Sequence, residues 1–91
     1  MVDESPTPAG ALLANLDKLH TTELGKGRIQ NNLSLKVSDV TRWCRQKIQS
    51  PQAQIIRRGK NFYIDINDCR LTVNAHSYTI ITAHKIKKDS L

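Results

Sequence analysis

Ninety-one residues carry 14 Lys and Arg against 8 Asp and Glu, a net charge of +6, with 38% hydrophobic and only 4% aromatic residues. That length supports one domain with a core able to fold alone but too small to enclose a deep substrate cavity, so any site is expected on the surface. No apolar run approaches the roughly 20 residues that span a bilayer, and the start Met1-Val2-Asp3-Glu4-Ser5-Pro6 is acidic where an export signal is basic and then apolar; a cytoplasmic protein with no membrane partner is expected.

Residues 1–8 hold two prolines and two acids and are read as a flexible leader to a single α+β domain over 9–88. Ala11, Leu12, Leu13, Leu16 and Leu19 recur with helical spacing, predicting a first helix over 8–19. Thr21-Thr22-Glu23 is a helix-start signal, and Leu24, Ile29 and Leu33 continue an apolar face, predicting a second helix to about Asn32. Ser38-Asp39 caps a third, with Val40, Trp43, Cys44 and Ile48 on one side, until Pro51 forbids continuation.

Beyond Pro51 the period changes to two. Ala53–Arg57, Asn61–Ile66, Cys69–Ala75 and Tyr78–Lys87 are predicted strands, joined by the turns Arg58-Gly59-Lys60, Asn67-Asp68 and His76-Ser77. The fold class that follows is α+β, with N-terminal helices packed on a four-stranded antiparallel meander. Phe62, Ile64, Ile66, Leu71 and Val73 alternate toward the core, and Tyr63, Asp65, Arg70, Thr72, Asn74, Thr82 and His84 toward the opposite face. In the last strand strict alternation puts Ile81 and Ala83 on one side and Tyr78, Ile80, Thr82 and His84 on the other.

Residues 18–88 contain all 14 Lys and Arg but only four acids, Glu23, Asp39, Asp65 and Asp68, which concentrates positive charge on the folded part. Such a surface fits a polyanion, and equally a solvated basic exterior. Arg57, Arg58 and Lys60 flank Gly59 and could grip phosphate, and Tyr63 could stack on a base. His20, Glu23 and Arg28 surround a helix N-terminus, where free N–H groups and the dipole favour anions. His84, on the polar face of the last strand, is the sharper candidate for proton transfer, because an imidazole changes charge near neutrality. Cys44, Cys69, His76 and His84 match no zinc spacing, so neither a metal nor any other cofactor is expected. Gly25-Lys26-Gly27 lacks the length and the preceding strand of a phosphate-binding loop.

The blocks LHTTELGKGRIQNNL at 19–33, GKNFYI at 59–64 and TVNAHSYTIITAHK at 72–85 resemble a family of small bacterial domains of unknown function. The layout, with a histidine near the first helices and a His/Thr pair on the last strand, also resembles the superfold of barnase, EndoU, colicin and RelE-type ribonucleases. That second resemblance implies a metal-independent endoribonuclease of toxin or phage-defence type, in which the 2′-hydroxyl attacks its own phosphate. On this chain it points to His20 or Glu23 and His84 for proton transfer, Thr82 beside them, and Arg28 with Lys60 or Lys85 for phosphate charge. RNA contacts would come from Arg57, Arg58, Lys60, Tyr63, Arg70, Asn74 and Lys85. The alternative is a non-catalytic module that uses the same basic polar face to bind RNA or another nucleic acid, or to inhibit a nucleic-acid-handling enzyme. The expected partners are accordingly a nucleic acid and, for a toxin, a protein antitoxin.

Overall fold

The computed structural model describes residues 8–86. Its elements run α1 (Pro8–Leu13), a 3-10 turn (Leu16–Lys18), α2 (Glu23–Leu33), α3 (Val40–Ile48) and strands β1 (Gln54–Arg58), β2 (Asn61–Ile66), β3 (Cys69–Asn74) and β4 (Ile80–Lys85). The four strands form one antiparallel sheet in the order β1-β2-β3-β4, as the short hairpins require. The expected α+β architecture is therefore what the chain adopts. The N-terminal leader lies, except for Pro8, outside the described residues, and so does Lys87 at the end of the last predicted strand.

The predicted first helix breaks after Leu13. Asn15 turns its side-chain amide back onto the Ala11 carbonyl at 2.8 Å and leaves helical geometry (φ −123°, ψ 27°). An Asn offers the backbone a local partner that competes with the helical ladder, and a 3-10 turn then carries Leu19 into the core.

Helix α2 starts at Thr22, whose hydroxyl accepts from Gly25 N–H at 3.0 Å, a cap contributing about 1 kcal/mol. It buries Gly25, Ile29 and Leu33. Leu24, read from sequence as part of that face, is 77% exposed, since it lies five residues and about 140° from Ile29. Asp39 caps α3 by accepting from Arg42 N–H, and Val40, Cys44 and Ile48 are buried while Trp43 packs half-buried beside them. Burial pushes the Cys44 thiol up to about 12, so it is an inert core group.

The core lies between the helices and one face of the sheet: Phe62, Ile64 and Ile66 from β2, Leu71 and Val73 from β3, Ile80 and Ala83 from β4, closed by Leu12, Leu19, Ile29 and Leu33. Ile80 departs from the alternation expected of β4. The register shifts between Thr72 and Val73, so that Thr72 pairs with Thr82 but Val73 pairs with Ile80. This bulge sets Ile81 apart as the unpaired residue, buries Ile80 completely and leaves Ile81 36% exposed.

The last hairpin is also wider than the two-residue turn read from sequence. Asn74 Oδ1 accepts from the N–H groups of His76 and Ser77, both at 2.9 Å, and Tyr78 closes the loop with a left-handed φ of 59°. Tyr78 is thus a loop residue and its ring packs on Phe62, 6.2 Å between centroids.

The two outer edges of the sheet differ. That of β4 is covered: Ile80 N–H donates to the His20 carbonyl, Thr21 Oγ1 donates to the Ile80 carbonyl, and Asn32 Nδ2 donates to the Ala83 carbonyl. His20 forms a parallel bridge with Thr79 and acts as a one-residue fifth strand. Along β1 four of the five residues are exposed.

Candidate functional site

The face turned away from the helices is organised by register into three transverse rows. The first is Arg58, Asn61, Asn74, Thr79 and His20. The second is Ile56, Tyr63, Thr72 and Thr82. The third is Gln54, Asp65, Arg70 and His84. Adjacent members lie about 4.8 Å apart across the strands, and successive rows about 6.8 Å apart along them. All seven residues assigned to this face from sequence are there, because Phe62, Ile64, Leu71 and Val73 are buried and lock the register.

Hydrogen bonds fix the first row. Thr79 Oγ1 lies 2.9 Å from His20 Nε2 and 2.7 Å from Ser77 Oγ, and Ser77 Oγ lies 3.2 Å from Asn74 Oδ1. His20 Nδ1 sits 2.9 Å from the Lys18 carbonyl. A carbonyl only accepts, so Nδ1 carries a proton, and in the neutral ring Nε2 accepts from the Thr79 hydroxyl. The result is an oriented imidazole on a chain of hydroxyls. It brings together His20-Thr21 and Asn74–Ile80, parts of two sequence blocks widely separated along the chain.

In the third row Arg70 grips Asp65 through two hydrogen bonds, Nε to Oδ1 at 2.7 Å and Nη2 to Oδ2 at 2.9 Å. The hydrogen bond from Arg70 holds the Asp65 carboxyl below its ordinary value, with smaller help from the Arg70 and His84 charges. Because both side chains are a third or more exposed, solvent screening limits the pair to about 1 kcal/mol or less. That contribution should be complete above the ordinary carboxylate value of 3.8 and disappear as pH falls through the depressed folded value. Urea midpoints taken between pH about 2.5 and about 6 should consequently fall more steeply with acid for the parent than for Asp65→Asn. Parallel curves would show that the pair adds nothing.

The other sequence candidates divide by face. Lys60 follows Gly59 in the turn beside the first row, and Gly59 supplies the positive φ of 61° that the turn takes. Arg57 is on the helix side of β1, opposite Phe62, with its guanidinium 5.6 Å from that ring and its Nε donating to the Gly59 carbonyl. Lys85 pairs with Cys69 and points away from the face that carries His84. Arg57 and Lys85 therefore do not share the face that carries His84. On α2, Arg28 lies one turn before Asn32, whose amide reaches Thr82 Oγ1 at 3.4 Å, so Arg28 borders the polar face. Glu23 falls about 140° round the helix from Arg28 and is exposed on another side.

His20 and His84 end in the first and third rows. Four β3 residues separate those rows, about 13 Å along the strands, and side chains stand roughly perpendicular to a sheet. The two imidazoles are thus not placed on one phosphate. Ser77 and Thr79 were missed as site residues, since nothing in a loop sequence shows that its hydroxyls will meet a histidine 59 positions away.

Residues 13–84 match a family model described as "Protein of unknown function (DUF3781)", a span that contains every member of the three rows. No curated protein and no solved structure matches the chain. Among the described residues no helix is long and apolar enough to cross a membrane.

Proposed function

We propose that this chain, which belongs to the DUF3781 family, binds single-stranded RNA along the helix-free face of its sheet. The observation that carries the reading is the row pattern itself. Hydrogen-bonding side chains are set at strand spacing around the half-buried ring of Tyr63, with Arg58 and Lys60 at one end and Arg28 along the rim. Bases can stack on an aromatic ring whatever their identity, and cations at the margins offset backbone charge. Arg70 contributes less charge than its residue type promised, because Asp65 already pairs with it.

Binding without cleavage is the form that the geometry favours. Proton transfer at one phosphate requires base and acid each within about 3 Å of the reacting oxygens, and the two histidines occupy rows too far apart for that. The ribonuclease reading, with its toxin or phage-defence role and its antitoxin, rests on layout resemblance.

Affinity for a fluorescent single-stranded RNA should fall with salt at a slope of about −0.7 per phosphate contact. The double variant Arg58→Ala/Lys60→Ala should flatten it by about 1.4. Tyr63→Leu should weaken binding by about 1–3 kcal/mol. RNA recovered from the mixture in EDTA should be intact. Salt-independent binding, or variants that match the parent, would overturn the proposal, and cleaved RNA would overturn its non-catalytic form.

A further inference from the structure

Between the first and third rows, above the Ile56–Tyr63 pair, lies a cavity of about 240 Å³ lined by Ile56, Arg58, Tyr63 and Arg70. That is below the ~300–1,000 Å³ of sites for drug-sized ligands and suits a single ring system. The apolar part of its lining is Ile56, which is 45% exposed, and the ring of Tyr63. The Arg70 guanidinium stands over the Tyr63 ring, 6.0 Å from its centroid, and Ile56 lies open beside it, so a planar ring can stack where the two side chains meet.

The polar groups at the cavity share one property. Arg58 and Arg70 are donors only. Arg70 is held in place by its two bonds to Asp65, which leaves the Nη1 edge of its fork unused. The Arg58 side chain makes no ion pair or hydrogen bond among the described residues, so its whole fork is available. Tyr63 Oη accepts from Asn61 Nδ2 at 3.3 Å, and its own proton remains to be donated. A ring that enters therefore meets donors at its edges. Guanine presents the adjacent acceptors O6 and N7, which an arginine fork matches with two hydrogen bonds. Adenine presents N7 beside an amino group, and that donor would face another donor.

We infer that this cavity is a nucleobase subsite that takes guanine in preference to adenine. It rests on the RNA-binding reading above, because the base belongs to a strand lying on the same face. Arg58 reads the base edge, Tyr63 and Ile56 support its plane, and the Asp65-braced Arg70 closes the far side.

The test uses the full chain and three single-stranded octamers, oligouridylate and the same sequence with one central G or one central A, at physiological salt. The G octamer should bind about tenfold more tightly than the A octamer, within the discrimination expected of one bidentate pair. In Arg58→Lys, which keeps the charge and loses the fork, the ratio of the two affinities should fall to about one. Equal, salt-dependent affinities for all three octamers in the parent would overturn the subsite and leave the RNA-binding face standing. A preference undiminished in Arg58→Lys would overturn the assignment of Arg58. Failure of all three to bind would overturn the RNA-binding reading itself, and the subsite with it.

Discussion

Phe62→Ala is expected to destabilise the domain by about 3–5 kcal/mol, lowering its melting temperature by about 12 °C or more. Phe62 is 1% exposed and is the largest of the fully buried side chains. It touches Tyr78 from the last hairpin, stacks beneath Arg57, and stands opposite Val73 in the ladder. Truncation removes the transfer energy of a phenyl ring and leaves a void that the strands on either side cannot close without losing register. Single domains have only about 5–15 kcal/mol to lose, so a large share of the variant should be unfolded at moderate urea. Tyr63→Ala, next in sequence but on the opposite face, should cost far less. Equal midpoints for the two would mean that the helices do not pack on the face assigned to them.

The second large effect separates two glycines of α2 by sign. A Cβ added at Gly25 would lie 2.6 Å from Thr21 Oγ1 and 3.3 Å from the Ile80 carbonyl. Neither neighbour is the free end of a long side chain, and the hydroxyl is the one that donates to that carbonyl. Gly25→Ala must therefore push α2 away from the edge of β4, at a cost of about 1–3 kcal/mol despite alanine's better helix propensity. At Gly27 nothing lies within 4 Å of the added atom. Gly27→Ala should stabilise by about 0.5–1 kcal/mol, because it reduces the entropy of the unfolded chain without a clash. Chemical denaturation of the two variants decides the matter, and shifts in the same direction would contradict the packing of α2 on β4. Since the same contact seats His20 against Thr79, Gly25→Ala should also disturb the first row, visible in the His20 ring resonances.

Much of this protein was legible as sequence because local chemistry fixed it. Thr22 and Asp39 announced the starts of α2 and α3, Pro51 ended the helical half, and strict alternation from Asn61 to Asn74 put Tyr63, Asp65, Arg70, Thr72 and Asn74 on one face. Alternation succeeds there because one side of each strand must be buried, and a slip of one residue would expose every apolar group at once. What escaped were events in which one distant group answers another. Whether Asn15 would break α1 depended on a competition between its side chain and the helical ladder, and the bulge at Ile81 was decided by how β4 had to fit between β3 and α2. Arg70 read as a free cation until register set it directly opposite its own counter-ion, Asp65. His20 and His84, which the ribonuclease resemblance proposed as partners, were parted by the same register that gave His20 to Thr79. Sequence determines which side chains a face will carry. Their spacing on that face, and so the chemistry they can share, comes from strand pairing that only the assembled sheet makes.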